Sequence, residues 1–151
     1  MISRVAESCF WLLRHLERAE NMARLMQVNR SFVLDISLPE IERWFPLVIV
    51  VGERERFNKL FDHESRNHEE LIQNYLVWHE KNPVSIKNSI YWARENARTI
   101  REVISLDMWE AINFLWHWIS SGRGKRMYKN DRDRFYKHLN SSINSIYGIC
   151  I

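Results

Sequence analysis

Arginine, glutamate and asparagine crowd into one short stretch of this chain, Arg14-His15-Leu16-Glu17-Arg18-Ala19-Glu20-Asn21, with Arg24 close behind. A guanidinium fork grips a carboxylate or phosphate through two parallel hydrogen bonds, and a neighbouring glutamate or asparagine steadies it. If the stretch is helical, Arg14 faces Glu17 and Glu20 faces Arg24, because residues three or four apart share a helix face. A second stretch repeats the theme as Ala93-Arg94-Glu95-Asn96-Ala97-Arg98, followed by Arg101 and Glu102. Two readings stay open. On facing helices these groups form one interior polar network, with Glu17, Arg18 and Arg98 in it, suited to a carboxylate or phosphate. On solvated faces they are ion-pair ladders, contributing only about 0.3–0.5 kcal/mol per pair. The candidate binding residues are Arg14, Glu17, Arg18, Glu20, Asn21, Arg94, Glu95, Asn96 and Arg98, and none is assigned a catalytic role.

Other chemistries lack their residues. Six histidines invite a metal, but no glutamate is followed three positions later by histidine, the pairing used by di-metal helical bundles. His63, Glu64 and His68 have no second constellation to complete a site. The segment Gly122-Arg123-Gly124-Lys125-Arg126 is not a phosphate-binding loop of the Walker type, because Arg126 stands where Ser or Thr is needed and Ile119 where the first Gly is needed. Its basic residues at 123, 125, 126 and 129, with Tyr128 among them, suit nonspecific contact with nucleic-acid phosphates over 122–129, or else a solvated loop between helices. No Gly-x-Ser-x-Gly elbow is present, and neither Cys9 nor Cys150 has a context that activates a thiol. No metal and no cofactor is expected. Asn113, between Trp109 and Trp116 in projection, reads as a polar anchor in an aromatic layer.

The elements that must hold these groups are helices. Four Gly and three Pro among 151 residues are too few for an all-β chain with a turn every dozen positions. Val5, Cys9, Leu12, Leu16, Ala19, Ala23 and Met26 recur at three- and four-residue steps, which predicts a long first helix of about eight turns. The run from Leu47 to Val51 is β-branched, yet it has no partner strand, so it is read as helix. Leu71, Ile72, Tyr75, Leu76 and His79 give a further amphipathic helix, ended by Asn82-Pro83. Ser85 caps the next, whose stripe runs Ile86, Ile90, Ala93, Ala97, Ile100, Ile104. Helices from about Leu106 (Trp109, Ile112, Trp116, Ile119) and through Phe135, Leu139, Ile143 and Ile146 complete an all-α, up-and-down multi-helix bundle.

The motif residues also resemble a known family. Arg14 through Asn21 with Arg24 and Leu25 look like the signature of the bacterial alpha-E family, named for its Glu-Arg motif. The likeness continues through Val28-Asn29, Trp44 with Pro46-Leu47, Asn82-Pro83 with Ser85-Ile86, Ala93 through Arg98, Arg101-Glu102, Met108-Trp109-Glu110 and Asn113. The resemblance implies an α-helical protein acting beside ATP-grasp ligase-like and transglutaminase-like proteins in peptide synthesis or modification. It also implies that the Glu17-Arg18 pair and its neighbours are the functional residues, either in an accessory or substrate-binding role or in an enzyme using the Glu-Arg network. Full-length members carry a second Glu-Arg helix, so the chain resembles their N-terminal half or a shortened member.

Size and charge set the remaining expectations. A single domain over 1–151 buries roughly two-thirds of its unfolded surface. With 46% hydrophobic and 27% charged residues the composition is globular, and a net charge of +3 permits an anionic partner without requiring one. The longest apolar run falls far short of the ~20 residues of a membrane span, and charged residues interrupt any leader-like stretch. The two cysteines sit in no disulfide pattern, which points to the cytoplasm. Seven Trp and seven Phe exceed what one half of a larger fold can cover, so a homodimer is expected. No ligase or hydrolase activity is expected of the isolated chain.

Overall fold

Four long helices carry the core, and the residue pattern of each explains its packing. The computed structural model describes residues 2–150, the side chain of Cys150 excepted. The first helix, α1 (Ile2–Asp35), turns Leu12, Leu16, Ala19, Ala23 and Met26 inward. Val5 and Cys9 are only half-buried, so the buried part of the stripe starts later than its spacing implies. Helix α6 (Ile86–Thr99) buries Ile86, Ile90, Ala93 and Ala97 and makes the most extensive helix-to-helix contact in the molecule with α1. Alanine at 19, 23, 93 and 97 leaves no bulky side chain between the two backbones at those points.

Helix α7 (Leu106–Ser120) packs on α6, and α9 (Arg132–Cys150) packs on both α7 and α1, closing a ring of four. Neighbours in the ring run in opposite directions. Gln27 and Arg30, late in α1, meet Asn140 and Asp133 of α9, and Trp118, late in α7, stacks on Phe135 near the start of α9 at 5.1 Å. Arg4 and Val5 at the start of α1 border the same hollow as Arg98 at the end of α6. The up-and-down bundle read from periodicity is therefore the fold. Among the described residues there are nine α-helices and no strand.

Between α1 and α6 the chain forms a cap of short helices, α2 (Glu40–Arg43), α3 (Phe45–Val50), α4 (Arg54–Leu60) and α5 (Glu69–Val77), with a 3-10 turn at His63–Asn67. The β-branched run is helical, as its lack of a partner strand implies, and α3 buries Phe45, Leu47 and Val48. Aromatic rings fill the cap: Phe57 lies 5.6 Å from Phe45, 4.9 Å from Phe61 and 5.2 Å from Tyr75. Asn82 is fully buried, donates to the Tyr75 carbonyl at 2.9 Å and accepts from the Val84 amide at 3.0 Å. It ties the end of α5 to the entry of α6. Ser85 caps α6 as expected, accepting from the Asn88 amide at 3.1 Å.

Two departures from the sequence reading have physical causes. Helix α6 stops at Thr99 rather than continuing through Ile104, because Thr99-Ile100 and Val103-Ile104 are β-branched and crowd the preceding turn, and Ser105 restarts the chain by capping α7. The segment read as a basic loop is a helix instead, α8 (Arg123–Asn130), entered through Gly122 at φ 91°. Gly124 explains how it fits: a Cβ there would stand 2.8 Å from the Trp118 carbonyl oxygen, so only glycine lets α8 lie this close to the end of α7.

Candidate functional site

The Glu-Arg stretch occupies the middle of α1, and its side chains divide by their helical positions. Arg14 and Glu17 approach to 3.5 Å with both side chains half-exposed, as a surface ladder would. Arg24 and Glu20 lie 3.7 Å apart, but here the carboxylate is buried and its Oε2 accepts no hydrogen bond. Arg18 has no carboxylate within ion-pair distance among the described residues. With Asn21 it edges a hollow of about 210 Å3 whose apolar wall is Met22 and Leu25 of α1, Val51 after α3, and Val84 before α6. His15, one position before Leu16, has its pKa lowered by burial and then by the Arg18 charge.

The α6 stretch faces α7 and is largely self-contained. Arg94 donates through Nε to Asn113 Oδ1 at 2.7 Å and through Nη1 to Glu95 at 3.4 Å. Glu95 also accepts from Arg98 at 3.0 Å. Asn113 in turn donates to the Trp109 carbonyl at 2.8 Å, and the guanidinium groups of Arg94 and Arg101 stand 5.8 and 5.0 Å from the Trp109 ring. Asn113 is thus the polar anchor that its place between tryptophans suggested. Asn96 donates to the Trp92 carbonyl one turn back, at 2.8 Å.

The structure does not bring Glu17, Arg18 and Arg98 into one interior network. Because α1 and α6 are antiparallel, Arg18 lies near the entry of α6 while Arg98 lies at its exit, roughly 20 Å away along the axis at 1.5 Å per residue. There Arg98 borders a separate hollow of about 470 Å3 with Arg4 and Arg101. The nine residues therefore form three local sets: the Arg14–Glu17 ladder, the Arg18–Asn21 edge beside buried Glu20, and the Arg94–Glu95–Arg98 group with Asn96.

One further buried carboxylate lies outside the nine candidate residues. Glu53, within Glu53-Arg54-Glu55-Arg56, is buried, accepts from the Tyr75 hydroxyl at 2.7 Å and from Arg56 at 2.9 and 3.1 Å. Burial and then this hydrogen bond push the Tyr75 phenol well above its usual range. The one signal in the sequence was the doubled Glu-Arg pair itself. Its bonds point to a structural role, holding α4 against α5. Among the described residues no group of three His, Cys, Asp or Glu side chains gathers as a metal site requires, and no helix is long and apolar enough to cross a membrane.

An all-α bundle with a Glu-Arg pair on its longest helix fits one class of domain. The chain belongs to the Alpha-E family, described as a predicted alpha-helical domain with a conserved ER motif, and the match covers residues 1–151. No curated protein and no solved structure matches the chain. Glu-Arg occurs at 17–18, 42–43, 53–54 and 55–56; the resemblance rests on the first, whose surrounding residues carry it.

Proposed function

We propose that this chain is a substrate-binding or accessory domain of a bacterial peptide-synthesis or peptide-modification system, working beside ATP-grasp ligase-like and transglutaminase-like proteins. In this reading the Glu-Arg stretch of α1 holds the carboxylate end of a peptide. What supports it is Arg18, an exposed guanidinium with no carboxylate partner among the described residues, at the rim of an apolar hollow. Glu17 does not quench it, because successive residues on a helix point to different faces. The Asn21 amide adds a donor, and the wall of Met22, Leu25, Val51 and Val84 suits one aliphatic side chain. A volume of about 210 Å3 is below that of pockets for drug-sized ligands, which run from about 300 Å3. The occupant is therefore a terminal residue rather than a whole cofactor.

Calorimetry with a short leucine-ended peptide tests this. The free carboxylate should bind, and either amidation of that end or Arg18→Gln should weaken binding by about tenfold or more, as loss of a charge-assisted pair does. Equal binding of the acid and the amide sinks the reading. One observation favours an enzyme as the second reading: Glu20 is a buried carboxylate beside the Arg18 hollow, with one oxygen that accepts no hydrogen bond among the described residues. Turnover of ATP or peptide by the purified chain, abolished in Glu20→Gln, would establish it over the accessory role.

A further inference from the structure

A hollow of about 310 Å3 opens where α8 meets α9, and three of its lining residues are arginines: Arg123, Arg126 and Arg134. None has a carboxylate within ion-pair distance among the described residues. Asp131, which also lines the hollow, is engaged as the start of α9 and accepts the Arg134 backbone amide at 3.1 Å. Residues 123–137 hold seven basic side chains against two acidic ones, a local excess larger than the chain's whole net charge of +3. All three are exposed, so water screens their repulsion in the free protein, and an anion between them would gain a charged partner on each side.

Trp118 gives the hollow an aromatic floor. It is 4% exposed, and its indole N–H is turned into the protein rather than open to solvent. Its ring also stacks on Phe135 and lies 4.4 Å from the His138 imidazole, so the floor of the hollow is rigid and aromatic. The field of the arginines reaches this floor, since His138 has its pKa lowered by burial and then by Arg123 and Arg134. Gly124 holds α8 against α7, so Arg123 and Arg126 project from a fixed element. The first turn of α8 has no side-chain cap and presents the positive end of its dipole near Arg123.

We propose that this hollow is a binding site for a small phosphate-bearing ligand, held by Arg123, Arg126 and Arg134 over the Trp118 and His138 floor. Three guanidinium groups exceed what one carboxylate can pair, whereas a phosphate or diphosphate offers three or more acceptor oxygens to forked donors. A small ligand fits better than a nucleic-acid backbone because the arginines converge on a concavity rather than tracking along a stripe. The site is separate from the Arg18 hollow, so either can fail without the other.

Titration of the full chain with inorganic pyrophosphate at low salt tests the assignment, read by calorimetry and by the His138 ring-proton resonances. Saturable binding is expected, with a shift of the His138 signals and a rise in its pKa as the ligand charge offsets the two arginines. Arg123→Gln with Arg134→Gln should weaken binding at least about tenfold, while Lys137→Gln should leave it within about twofold. The unfolding midpoint of each variant confirms that it is folded. Unsaturable uptake, equal binding by the double variant, or a single-stranded oligonucleotide that binds undisturbed by excess pyrophosphate would each overturn the proposal.

Discussion

Arg14 has Glu17 at 3.5 Å and Arg98 has Glu95 at 3.0 Å, whereas Arg123, Arg126 and Arg134 share one hollow with no such partner among the described residues. The contrast follows from where each arginine sits relative to helix ends. Within α1 and α6, carboxylates stand three or four residues from arginines, and the helix itself brings them together. Around α8 and α9 the arginines come from two short runs on either side of a helix boundary, and of the two carboxylates between them Asp131 caps α9 while Asp133 pairs with Arg30 of α1. A Glu-Arg motif is thus largely neutralised by its own spacing, and Arg18 stands out because its adjacent glutamate points elsewhere. Unpaired charge accumulates where the chain turns.

The largest effect is expected at Gly124, where α8 lies against the end of α7. In Gly124→Ala the new Cβ meets a backbone oxygen at 2.8 Å that cannot swing aside, and the helix-propensity gain of alanine, at most about 1 kcal/mol, does not offset the displacement. Net destabilisation of about 1–2 kcal/mol is expected by urea unfolding, together with loss of pyrophosphate binding and no effect on peptide binding at Arg18. Unchanged stability would mean that α8 is free to shift.

Acid should distinguish the two regions through one histidine in each. His15 and His138 both have pKa values below the ordinary 6.5, by burial first and by arginine neighbours second. The unfolded chain therefore binds more protons than the folded one below about pH 6.5, so stability is level above that pH and falls as pH drops through the lowered folded values. Pyrophosphate should reduce the share of this loss due to His138 and leave the share due to His15 in place. Titration of both imidazoles by NMR, with and without the anion, separates them; equal responses would show that the two arginine environments do not differ.

The smallest effect belongs to the ladders. Glu17→Ala and Arg98→Ala should each change unfolding free energy by no more than about 0.5 kcal/mol, because both groups are solvent-exposed and belong to no shared network. A loss of several kcal/mol from Glu17→Ala would reveal a buried charge left unpaired.

These residues also mark what the sequence could disclose. The stripe Ile86, Ile90, Ala93, Ala97 announced α6 because its inward face is uniformly apolar, and the absence of any partner strand settled Leu47 to Val51 as helix. Helix α8 was hidden: Gly122 and Gly124 read locally as loop residues, and only contact with the Trp118 carbonyl shows that the second glycine is there for packing. The nine candidate residues were legible as polar groups beside apolar stripes. Their failure to converge was not, because the ends that antiparallel helices bring together depend on packing direction, which spacing within each helix does not encode. The basic hollow joins side chains from α8 and α9, and no single-helix pattern contains it.

The length of α1 carries a last consequence. Its 34 residues span about 50 Å, yet its buried side chains run only from Ser8 to Met26, and every described side chain from Ser31 to Asp35 is exposed or half-buried. Backbone amides along this one continuous rod therefore differ in what must open to release them. In the final turn, local fraying suffices and solvent deuterium enters early; around Leu16 to Ala23, exchange waits for the bundle to come apart. One helix thus holds both readily exchanging and well-protected amides, and Arg18 and Asn21 sit on its protected segment, anchored where the rod is packed against the bundle.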